Sequence, residues 1–125
     1  MFKERPLEHW VMRSIGRPGW THYLARDGDT PVAAGLLHVH GDVGWLGWGA
    51  TLPSHRGRGA QSALIAARVR DAAAQGARWA TSETAESTAA KPNPSYRNME
   101  RAGFRLLFLR PSFAHVPPQL APAEG

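Results

Sequence analysis

The chain predicts an α+β fold: a central mixed, mostly antiparallel sheet with helices on both faces. Three observations predict it. Three strand-like runs follow one another with Asp-Gly and Gly-Asp between them, the pattern of a meander. One alanine-rich stretch, 59–75, has a helical period. After it, strand and helix alternate, which demands crossovers and so a mixed sheet. With 125 residues, 42% hydrophobic, the chain suits one small domain with one core, expected over 1–116, with a disordered tail at 117–125.

The elements follow in order. LEHWVMRSI, 7–15, places Leu7, Trp10, Val11 and Ser14 or Ile15 at helical spacing, and Gly16 and Pro18 stop it. WTHYLAR, 20–26, alternates and reads as a strand; the turn DGDTP leads into PVAAGLLHVH, and Gly41-Asp42 into WLGWGAT, 45–51. Gly47 and Gly49 interrupt that third strand. They mark either packing against a neighbouring tryptophan or a ligand lying on the backbone. In 59–75, Ile65, Val69, Ala72 and Ala73 share a face, and Gly76 is a C-terminal stop. RWATSET, 78–84, is a strand, AESTAAKPNP a loop, SYRNMERA, 95–102, a short helix ended by Gly103, and FRLLFLR, 104–110, a last strand that continues past Pro111 into SFAHV.

Charge and composition narrow the function. No cysteine is present, which excludes thiol chemistry and makes a cytoplasmic home the expectation. No apolar run approaches the length needed to span a bilayer, and the first ten residues lack the apolar core of a signal peptide. The net charge of +5 favours an anionic partner. The arginines are dispersed along the chain, so neither nucleic acid nor a membrane surface is the expected partner. His38 and His40 share a strand face, but no cysteine or nearby carboxylate completes a metal set, and no metal is expected.

The chemistry concentrates in LPSHRGRGAQ, 52–61, between a strand and a helix. A helix start exposes unpaired N–H groups and the positive end of the dipole. Gly57 and Gly59 let the backbone approach an anion, and Arg56 and Arg58 add charge. The stretch reads as a phosphate site, or else as an ordinary glycine-rich turn with solvated arginines. Neither a Walker loop nor a dinucleotide fingerprint is present.

This pattern resembles the GCN5-related N-acetyltransferase superfamily, in which a strand leads into R-x-x-G-x-G/A at the start of a long helix. Arg56 and Gly59 match; Gln61 departs, with a side chain that can swing outward on the helix's first turn. The family's later motif, N-x-x-A-x-x-x-Y-x-x-x-G-F, is approached by NPSYRNMERAGF: Gly103 and Phe104 match, Ser95 takes the Ala position, Asn93 is one residue off, and Met99 replaces the Tyr. The resemblance spans about 7 to 115. It lacks the family's first strand and helix, so either the chain is a fragment or a sheet edge is exposed, and a homo-oligomer covering it is expected.

The resemblance implies acetyl transfer from acetyl-CoA to a primary amine of a small-molecule or peptide acceptor. Pyrophosphate would sit on Arg56, Gly57, Arg58, Gly59, Ala60 and Gln61. Pantetheine would lie along Ala50, Thr51 and Leu52, with a backbone N–H near Leu52 as oxyanion donor and Asn93 and Ser95 nearby. The thioester would lie in a V between strands 45–51 and 78–84. Glu83, with Glu86 second, is the candidate base. Tyr96 is a candidate acid, since methionine cannot donate a proton; a thiolate could also leave unprotonated. Two other readings stand beside this one: a CoA-binding module without catalysis, and a basic RNA- or ribosome-associated protein.

Overall fold

The computed structural model describes residues 11–115. Four strands form one sheet in the order β1 (Trp20–Asp27), β2 (Thr30–His40), β3 (Val43–Thr51) and β4 (Trp79–Ser82). The β1–β2 and β2–β3 pairs are antiparallel and β3–β4 is parallel. The two hairpins close at Gly28 and Gly41, both at φ +59°, where a side chain would be strained. A 3₁₀ turn, Pro53–His55, leads to α1 (Ala60–Ala74); α2 (Pro94–Arg101) follows β4.

Residues 11–13 are helical and end the first expected helix; its residues before 11, like the expected tail at 117–125, lie outside the described residues. Ser14 Oγ shares a 2.9 Å hydrogen bond with His22 Nε2. His22 and Tyr23 point to opposite sheet faces, and Tyr23 donates to Asp71 of α1 at 2.7 Å. Helical segments thus pack on both faces, as the sequence predicts.

The core lies between α1 and the sheet. Leu37, Leu46, Ile65 and Ala72 are its buried centre, flanked by Val39, Val69, Ala80, Met99 and Phe104. Each such large aliphatic side chain contributes about 1.5–3 kcal/mol by leaving water. Gly44 is needed there, since a Cβ would approach that of Ala72 to 2.8 Å. Ala73, expected on the buried face, is exposed, and Leu64 and Arg68 are buried instead. Both helices end in Schellman motifs: Ala77 N–H bonds Ala72 O and Gly76 N–H bonds Ala73 O, and Phe104 N–H bonds Met99 O and Gly103 N–H bonds Glu100 O. The second motif brings Phe104 and Met99 together against the core.

One expected element is absent. Residues 104–110 form no strand. The run has no β-branched residue, nothing described pairs with it, and Leu107 and Phe108 stay 82% and 70% exposed. A strand exists through its ladder, and alternation of apolar residues does not supply one.

Candidate functional site

The β3–β4 ladder ends where Leu46 faces Ser82. β4 stops there, while β3 runs on to Thr51. A cavity of about 80 Å³ occupies the space between them, walled by Gly47, Trp48 and Gly49 on one side and Glu83 and Thr84 on the other. Leu46 and Ser82 at the last ladder pair, Gln61, Ile65 and Arg68 of α1, and Ser95, Asn98 and Met99 of α2 complete it. This is the V that the sequence reading expects between the two strands.

A β-bulge shapes its wall. Leu36 pairs with Gly47 and Ala34 with Ala50, so Trp48 and Gly49 together oppose Gly35. Trp48 takes φ +53°, a strained conformation for a bulky residue. The two glycines serve packing. A Cβ on Gly47 would collide with the Trp45 ring, and one on Gly49 would lie 2.9 Å from Gln61 Oε1.

Gln61 turns inward, not outward. Its Nε2 donates to Ala50 O at 2.9 Å and to Thr51 Oγ1 at 3.0 Å, tying the first turn of α1 to β3. The helix start itself has no side-chain cap, and Ala63 N–H is the first to bond back, to Gly59 O. The N–H groups of Ala60, Gln61 and Ser62 in the first turn make no backbone bond of this kind among the described residues. Gly57 and Gly59 hold φ +74° and +81°, both exposed with open space at the Cβ position. Arg56 is exposed. Arg58 lies 3.8 Å from Asp27, an exposed pair that screening leaves weak. Asp27 also meets His55 Nε2 at 3.0 Å, which ties the loop to the β1–β2 hairpin.

Other expected residues fall differently. Leu52 N–H donates to Val32 O at 2.8 Å and is no longer open as an oxyanion donor. Asn93 caps α2: its Oδ1 accepts from Ser95 N–H at 3.0 Å and its Nδ2 donates to Ala85 O at 2.7 Å. That role commits its amide to the loop. Ser95 lines the cavity; Tyr96 is half-buried on α2 and is not among the lining residues. Glu83 stands at the cavity mouth with its carboxylate 2.5 Å from Arg110 Nη2, both side chains largely exposed.

Arg68 escaped the sequence reading. It is 1% exposed, the largest fully buried side chain among the described residues. Burial pulls its pKa down. Only its position on the buried face, four residues from Leu64, signalled it. Asp71 is held low mainly by the Tyr23 hydroxyl, whose own pKa is pushed up to about 12, first by burial and then by that bond. No helix among the described residues is long and apolar enough to cross a membrane.

The acetyltransferase (GNAT) family model matches residues 2–104. No curated protein sequence matches the chain. Solved structures are similar in fold. The aminoglycoside 6'-N-acetyltransferase AAC(6')-IG of Acinetobacter haemolyticus is 16% identical, TM-score 0.69, over 93% of this chain and 85% of that one. AAC(6')-Iy with the bisubstrate analogue CoA-S-monomethyl-acetylneamine is 21% identical, TM-score 0.67, over 89% and 83%; that enzyme is also solved with CoA. An acetyltransferase of Trypanosoma brucei is 18% identical, TM-score 0.66, over 88% and 76%.

Proposed function

Because the chain belongs to the GNAT acetyltransferase family, we propose that it transfers the acetyl group of acetyl-CoA to a primary amine. The observation that carries this reading is the uncapped start of α1, with its two positive-φ glycines, beside the point where β3 and β4 part. The helix start and Arg56 and Arg58 suit a pyrophosphate. The edge of β3 beyond the end of β4 suits an amide-bearing arm, with Ala50 O and Thr51 Oγ1 already engaged by Gln61, and the cavity suits the acyl end. AAC(6')-Iy, similar in fold, is solved with CoA, which supports the cosubstrate.

Acetyl-CoA supplies the activated acyl group. The protein's part is to position it, to stabilise the oxyanion and to take a proton from the amine. With Leu52 N–H engaged, the Gly49 backbone N–H at the bulge is the candidate oxyanion donor. Glu83 at the mouth is the candidate base; its pair with Arg110 is exposed and can open at little cost. Met99 holds a hydrophobic contact and donates no proton, so the thiolate leaves as such. The acceptor class that the fold relatives suggest is a small amine, since AAC(6')-Iy and AAC(6')-IG are both named as aminoglycoside N-acetyltransferases.

Calorimetry with acetyl-CoA, then thiol release over an amine panel, tests the reading. Failure to bind acetyl-CoA at near-millimolar concentration removes it. Binding without release on any amine leaves the non-catalytic CoA module, which Met99 favours. A homo-oligomer belongs to the proposal: β1 is an edge of the described sheet and its Leu24 is 57% exposed. Light scattering that returns a monomer removes that part.

A further inference from the structure

Arg68 sits on α1 eight residues in from Ala60, about 12 Å along the axis. Gly35 makes room for it: a Cβ there would lie 2.8 Å from Arg68 Cζ. Its Nε donates to Leu64 O at 3.0 Å, and its Nη1 donates to Leu36 O and Gly47 O at 3.3 Å each. All three acceptors are neutral carbonyls. Among the described residues no carboxylate forms an ion pair with it, and Asp71, one turn on, is held by Tyr23 and Arg70 instead. A guanidinium does not shed its proton at ordinary pH, and burying one without an anion is costly. Nη2 makes none of these bonds, and Arg68 lines the cavity where β3 and β4 part.

The cavity thus presents a guanidinium that suits an anion where its lining meets Gly47. The pyrophosphate is not that anion, because the start of α1 lies two helical turns away. An acetyl group is neutral and leaves the charge unmet. We propose that Arg68 makes this a site for acyl thioesters of CoA whose acyl chain ends in a carboxylate, the malonyl and succinyl class, with Nη2 pairing the distal carboxylate. The proposal rests on the CoA reading above and extends its acyl donors from acetyl to carboxylated thioesters. The transfer balances as for any thioester. The amine lone pair forms the C–N bond, the C–S bond breaks with its electrons on sulfur, and the ammonium proton passes to Glu83 or water. The distal carboxylate is unchanged.

The test is calorimetric binding of acetyl-, propionyl-, malonyl- and succinyl-CoA to the full chain and to Arg68→Met and Arg68→Gln. The wild type is expected to bind a carboxylated thioester about tenfold or more tighter than acetyl-CoA, the range of a charged hydrogen bond. In either variant the ratio should fall to about one. A wild-type ratio of one or less overturns the proposal without recourse to a variant. A ratio unchanged in a folded variant also overturns it, as does equal weakening of all four ligands, which would mark a role at the thiolate or oxyanion. Failure of every CoA thioester to bind the wild type would instead overturn the CoA reading, and this proposal with it.

Discussion

Gly59→Asp places a carboxylate beside the first turn of α1, at a residue with φ +81° and no atom within 4 Å of the added Cβ. Aspartate tolerates the left-handed region at a cost of about 1 kcal/mol. A negative charge at a helix N-terminus returns about 0.3–1 kcal/mol. The fold should therefore keep its stability to within about 1 kcal/mol. Ligand binding should not survive as well. A pyrophosphate with two negative charges about 6 Å away would be repelled by roughly 1.4 kcal/mol at the dielectric of water and about 5.5 kcal/mol at an effective value of 20. The loop is exposed, so the lower part of that range applies, which is at least about a tenfold loss of affinity. Calorimetry with acetyl-CoA on wild type, Gly59→Asp and Gly59→Asn reads it. The Asn variant carries the backbone strain without the charge, and the Asp–Asn gap should narrow as salt rises. An Asp variant that melts like wild type and binds acetyl-CoA equally well would refute the assignment of this loop to phosphate.

Gln61→Leu should lose the bonds to Ala50 and Thr51 and cost about 1–2 kcal/mol in chemical denaturation, with weaker acetyl-CoA binding as the loop loosens. Asn93→Ala should cost about 1 kcal/mol through the lost α2 cap and leave acetyl-CoA affinity near wild type, since its amide serves the loop. Tyr23→Phe should raise the midpoint of acid unfolding. Asp71 has a lowered folded pKa, so its contribution is present above the ordinary carboxylate value and is lost as the pH falls through the lowered one. The same variant should remove an alkaline loss of stability between pH 10 and 12, because Tyr23, raised from 10.0 to about 12, contributes fully below its unfolded value and loses that contribution as the pH rises. Glu83→Gln should lower kcat/KM for an amine most steeply at neutral pH if the carboxylate is the base; an unchanged pH profile would remove it from that role.

Much of the fold was legible in the sequence because its signals are local. The Asp-Gly and Gly-Asp turns, the alanine-rich run of α1 and the glycines after each helix act over a few residues, and these elements fall where expected, with Ala73 alone of the expected face exposed. The V between β3 and β4 was legible too, through element order and resemblance. The run 104–110 was misread because its apolar alternation says nothing of whether a partner strand lies beside it. Tyr96 was placed near Met99 by helical spacing, yet Ser95, Asn98 and Met99 take the cavity face.

By itself the sequence determined the family, the order of the elements up to α2 and the glycine-rich start of α1, since each is written in short motifs of the chain. The tertiary structure decided what side chains do across distance. Gln61 turns to β3 because Gly49 leaves its amide room, and Leu52 N–H is consumed by Val32, twenty residues earlier. Arg68 becomes a buried charge because Gly35, on a different element, vacates the volume of its guanidinium. Such pairings depend on which atoms packing brings within a few ångströms, and no local pattern in the chain encodes that.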